Sequence, residues 1–74
     1  MKIIKQLFEE IGRNDVNEDM EDLFSDGIID SMNIIAFLTA AEKYYGKDID
    51  ADFIEFDSFD SFKNIRKMLD RALA

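Results

Sequence analysis

The sequence predicts an all-α domain: a small four-helix bundle of three main helices plus one short helix, with a long first loop. Three observations carry this. Apolar residues recur at spacings of three and four in three separate segments, as one buried helix face requires. No segment shows sustained two-residue alternation rich in β-branched residues, so strands have no support. Charge is segregated as well: residues 14–30 hold seven acids and no base, and residues 48–62 hold six acids and no base. The stretches around them are near neutral or basic, the pattern of helices joined by acidic connections. At 74 residues the chain is read as a single domain, 1–74.

The first helix follows from Ile3, Ile4, Leu7, Phe8 and Ile11, which draw one stripe, with Gly12 and Asn14 as stop signals. The second follows from Ile34, Phe37, Leu38, Ala41, Tyr44 and Tyr45, and Gly46 suits a left-handed C-terminal cap. The third main helix follows from Phe62, Ile65, Leu69 and Leu73, with Ser61 as N-cap and Arg71 at the negative end of the helix dipole. A short helix is expected over 51–56, capped by Asp50 and stapled by Ile49 and Ile54. The first connection, roughly 14–30, exceeds the ~12–15 residues above which structureless loops are uncommon and often functional. Met20, Leu23, Phe24, Ile28 and Ile29 are placed to pin it to the bundle, and Gly27 gives it a turn with positive φ.

Composition removes whole classes of function. The chain has no Cys and no His, so it lacks a thiol nucleophile, a disulfide, and the commonest general base and metal ligand. A self-contained enzyme is therefore not expected. The net charge of −8 repels nucleic acid and anionic membrane. No apolar run approaches the ~20 residues of a membrane span, and the first residues lack the apolar core of a secretory signal. The expectation is a monomeric cytoplasmic domain whose chemistry is borrowed. A calcium loop fails on spacing: Asp48, Asp50 and Asp52 are followed by Phe53 and Phe59 where Gly and Glu belong. In the loop begun by Asp15, Asn17 and Asp19, Met20 takes the Gly position.

A pinned loop delivered to a helix start is a way of presenting one residue, here Ser31. The local string runs Asp26-Gly27-Ile28-Ile29-Asp30-Ser31-Met32-Asn33. In this string, and in length, helix order and long first loop, the chain resembles the carrier-protein family: acyl carrier proteins and their aryl, peptidyl and D-alanyl relatives. The resemblance implies that Ser31 carries 4′-phosphopantetheine, taken from coenzyme A, through a phosphodiester. It implies that Asp30 helps engage the transferase, although a helix-capping role fits that carboxylate equally well. It implies three kinds of partner: a phosphopantetheinyl transferase, an adenylating or other loading enzyme, and a downstream acyl-accepting enzyme. The Asp-Ser-Met tripeptide and the stretch Asp52-Phe53-Ile54-Glu55-Phe56-Asp57 lean toward the D-alanyl branch. The second helix has Ala36, Thr39 and Lys43 where fatty-acid carriers show acids or Met, and it keeps only Glu42.

The chemistry agrees with the position independently of the family. A phosphodiester anion suits the unpaired N–H groups and positive dipole end of a helix N-terminus. Without a base beside it, Ser31 requires a separate enzyme to activate it. Asp57-Ser58 and Asp60-Ser61 repeat the dipeptide but sit at the entrance to the last helix, where such residues ordinarily cap. Met32, Ala36 and Thr39 lie off the core stripe and are the candidate partner-binding residues, whereas Ile35 is expected to pack under the loop. The rival reading is a non-catalytic acidic adaptor domain in which Ser31 is only a helix cap.

Overall fold

Helix α1 spans Lys2–Glu10, α2 spans Ser31–Tyr45 and α3 spans Phe62–Ala72, with a five-residue 3₁₀ helix, Phe56–Asp60, leading into α3. The computed structural model describes residues 2–50, 52 and 54–73. Among these there are three α-helices and no strand. The all-α fold is as expected, and the fourth, short helix over 51–56 is not confirmed. Ala51 and Phe53, inside the expected short helix, lie outside the described residues. Of the described residues there, Asp52 is in a 3₁₀ turn, Ile54 and Glu55 are not helical, and the next 3₁₀ helix begins at Phe56. Asp50 does act as the local cap, its Oδ1 accepting from the Asp52 N–H at 2.9 Å.

The helix ends obey their sequence signals. Gly12 (φ 83°) closes α1: its N–H reaches the Glu9 carbonyl at 3.0 Å, and the Arg13 N–H reaches Phe8 at 2.9 Å. This paired pattern is a Schellman motif, and it throws Arg13 clear of the helix. Gly46 (φ 68°) closes α2 on Glu42, and Ser61 Oγ accepts from Asn64 at the start of α3.

The core is built on four phenylalanines, one from each helical element. Phe59 of the 3₁₀ helix meets Phe37 of α2 edge-on at 5.6 Å. Phe37 meets Phe8 of α1 at 4.7 Å, and Phe8 stacks on Phe62 of α3 at 5.5 Å. All four are at most 1% exposed. Among the described residues α1 packs on both α2 and α3, and so does the 3₁₀ helix. The aromatic chain thus runs through all four helical elements. Each such pair adds about 0.5–1.5 kcal/mol beyond the area it buries.

Two core assignments are corrected. Tyr44 and Tyr45 are exposed (60% and 38%) and pack against each other at 4.9 Å. They lie in the last turn of α2, where Tyr44 sits beside Ile3, Gln6 and Leu7 of α1 at an open surface groove. Ile35 is 59% exposed rather than tucked under the loop, because Leu23 and Ile29 fill that side of the core themselves. Val16, which no periodicity picked out, is fully buried.

Truncating the aromatic chain leaves a cavity at its middle. Phe37→Ala is expected to cost about 3–5 kcal/mol in denaturant unfolding followed by circular dichroism. Tyr44→Ala is expected to stay within about 0.5 kcal/mol; an equal loss for both would contradict this core.

Candidate functional site

The long connection, residues 11–30, is structured although it is neither helix nor strand. Three apolar plugs, Val16, Leu23 and Ile29, are at most 1% exposed. Met20, Phe24 and Ile28 are partly buried against the same core. Backbone bonds fold the segment on itself: Ile29 N–H to Leu23 at 3.0 Å, Gly27 N–H to Phe24 at 3.1 Å, and Asp26 N–H to Asp22 at 2.7 Å. Gly27 supplies the expected positive φ of 75°, and Asp22 adopts a left-handed 54°.

Polar clasps fix it at three places. Lys5 Nζ donates to the carbonyls of Asn14 (2.7 Å) and Val16 (2.6 Å). Asp60, at the end of the 3₁₀ helix, accepts from the N–H groups of Phe24 (3.0 Å) and Ser25 (2.8 Å) and from the Ser25 hydroxyl (2.7 Å). These bonds, the Ser25 hydroxyl first, hold the Asp60 carboxyl below the usual carboxylate range.

The third clasp is Arg13. Its Nη1 donates to Asn33 Oδ1 at 2.8 Å and its Nη2 to the Ile28 carbonyl at 2.6 Å. Its remaining edge pairs with both oxygens of Asp15 at 3.1 Å. That pairing raises the Arg13 pKa, opposed by burial and helped by the charges of Asp15 and Asp30, and it lowers that of Asp15.

Asn33 is also the third residue of a capping box. Its N–H donates to Asp30 Oδ1 at 2.9 Å, and its Oδ1 accepts the Asp30 N–H at 3.1 Å. The N-cap of α2 is thus Asp30, with extended backbone (φ −119°, ψ −179°). Ser31 is the first helical residue, exposed, and its hydroxyl has no hydrogen-bond partner among the described residues. The cap reading for Asp30 is therefore seen directly, and the reading of Ser31 as the cap gives way to it. The first N–H groups of a helix have no intrahelical carbonyl, so those of Ser31 and Met32 face outward without one.

The other serines are built differently. Ser58 is half-buried within the 3₁₀ helix, and Ser61 is committed to capping α3 through Asn64 at 3.2 Å. Around Ser31 the helix shows an apolar face to solvent: Met32 is 76% exposed, and Ile35, Ala36 and Thr39 share that exposed side. The three proposed partner-binding residues, Met32, Ala36 and Thr39, are brought together with Ser31, and Ile35 joins them. No group of three or more acidic side chains suited to holding a metal occurs among the described residues.

Arg13 and Asn33 were not among the site residues read from the sequence. Two signals point to them. Arg13 is the only Lys or Arg between Lys5 and Lys43, and it follows the glycine that ends α1. Asp30-x-x-Asn33 has the spacing of a capping box with the shorter Asn in place of the usual Glu or Gln. Compared with family models, with curated proteins and with solved structures, the chain matches none.

The Asp60 clasp contributes fully above the unfolded-chain carboxylate value, about 3.9. It is lost as pH falls through the lower native value. The Asp60 carboxyl carbon, followed by NMR, is expected to titrate with a midpoint below about 3.9. In Ser25→Ala that midpoint should rise; a wild-type midpoint above the reference would contradict the clasp.

Proposed function

We propose that this chain is a carrier domain: Ser31 holds 4′-phosphopantetheine, and the arm carries acyl or aminoacyl groups as thioesters between partner enzymes. The observation that supports this best is the setting of Ser31. Its hydroxyl is exposed and uncommitted on the first turn of α2, at the end of a loop anchored by three clasps, while its neighbour Asp30 does the capping.

The residues present fit such a group. The Ser31 and Met32 N–H groups and the dipole of a 15-residue helix favour a phosphodiester anion there. Asp30 would oppose that charge, but its carboxylate accepts the Asn33 N–H and lies within the field of Arg13. When attached, the arm supplies the thiol that the chain lacks. In the attachment, Ser31 Oγ forms a new bond to phosphorus as coenzyme A loses its nucleotide portion. The serine proton passes to a base on the transferase, since the neighbouring Asp30 carboxylate is engaged in capping α2.

The domain performs no reaction of its own and raises the effective concentration of its cargo at successive active sites. Met32, Ala36 and Thr39 form the contact face for partners. The acidic connections steer basic surfaces toward it, which makes association salt-sensitive. The D-alanyl carrier branch rests on the sequence resemblance, and a cytoplasmic, monomeric state on composition.

Incubation with coenzyme A and a broad-specificity phosphopantetheinyl transferase is expected to add one phosphopantetheine to the intact mass. Ser31→Ala should abolish the gain. Absence of any gain with several transferases would overturn the carrier reading, and a gain mapping to Ser58 or Ser61 would overturn the site.

A further inference from the structure

A capping box can hold a helix start by itself, yet here its amide oxygen serves a second donor. Asn33 Oδ1 accepts the Asp30 N–H (3.1 Å) and Arg13 Nη1 (2.8 Å) together. The same guanidinium takes the Ile28 carbonyl at 2.6 Å. One side chain therefore grips the backbone three residues before Ser31 and the side chain two residues after it. Arg13 is itself set by the Schellman motif that ends α1, so the grip ties Ser31 to a rigid element elsewhere in the fold.

From this we infer that Arg13 is the positioning residue for Ser31, acting through Asn33 and Ile28. The inference rests on the carrier reading and assigns the control of its modification site. The planar fork of arginine matters as well as its charge. It addresses Ile28, Asn33 and both oxygens of Asp15 at once, which a lysine ammonium on a single stem cannot do. Asp15 is the outer member: it takes Nε and Nη2, while Nη1 reaches Asn33 and Nη2 also reaches the Ile28 carbonyl. Without Arg13, the capping box remains but Ile28 loses its tie to Asn33 of α2, and the serine samples orientations a transferase cannot use. Misplacement of a reacting atom on this scale costs up to about 100-fold in rate.

The test is the rate of phosphopantetheine transfer to the full chain, measured well below the melting temperature of every variant. Arg13→Gln is expected to lower kcat/KM by about 10–100-fold, with the far-ultraviolet spectrum of the wild type retained. Asn33→Ala, which keeps the arginine and removes the shared acceptor, should show a comparable loss. The double variant should be little worse than either single one, as members of one unit are not additive. Arg66→Gln, which breaks the exposed ion pair to Asp70 on α3, controls for loss of one surface charge and should not change the rate. A merely structural role would lower melting temperatures and leave rates on folded protein unchanged; that result, fully additive losses, or full recovery with Arg13→Lys would overturn the inference. Failure of the wild type to accept the arm would instead overturn the carrier reading, and this inference with it.

Discussion

The guanidinium of Arg13 is the interaction on which the presentation of Ser31 depends. Loop 11–30 has no ladder of backbone bonds to hold it, so its shape rests on a few buried plugs and a few polar clasps. Of the clasps, Lys5 fixes the beginning and Asp60 the middle; only Arg13 reaches the end, where Ser31 emerges. It does so with charge-assisted bonds to a carbonyl and an amide, which are stronger than neutral ones. It is also largely shielded, with its side chain 24% exposed against 62% for Asp15. Hydrogen bonds in such a setting are less weakened by water than those of the exposed Arg66–Asp70 pair.

The distribution of acids follows from the same architecture. Helices in so small a bundle must bury one face each, and only four of the 17 acids sit in α1, α2 and α3. The rest crowd the connections, where like charges repel and would open the loops. Asp60, Asp15 and Asp30 escape this by becoming acceptors of specific N–H and O–H donors. Acidity is thus partly structural, and the remaining exposed acids supply the long-range field.

Much of the bundle was legible in the sequence because spacing alone defines a buried face. Ile4, Leu7, Phe8, Ile34, Phe37, Leu38, Phe62, Ile65 and Leu69 are all buried, and Gly12, Gly27, Gly46 and Ser61 do the local work expected of them. Tyr44 and Tyr45 misled because periodicity reports a face without reporting how deeply it is covered; Tyr44 lies beside α1 in an open groove. Ile35 misled for the complementary reason, since the loop turns its own apolar residues inward. Val16 stands alone among polar residues and has no period to reveal it. Ser31 was visible as a helix start, but Asp30 and not Ser31 is the cap. The Arg13–Asn33 bond spans 20 residues and depends on the tertiary fold, so only the oddity of a single cation in an acidic stretch hinted at it.

Amide hydrogen exchange on Arg13→Gln, residue by residue, tests the central claim most directly. The clasp holds the loop end and the first turn of α2 as one unit, so the hydrogen-bonded amides of Ile29, Asp30, Asn33 and Ile34 should lose protection together in the variant. The amides of α3 from Ile65 onward should keep theirs, apart from any uniform shift in global stability. Unchanged protection at Ile29 and Ile34, or a loss spread evenly over all three helices, would contradict the claim that one guanidinium sets the position of Ser31.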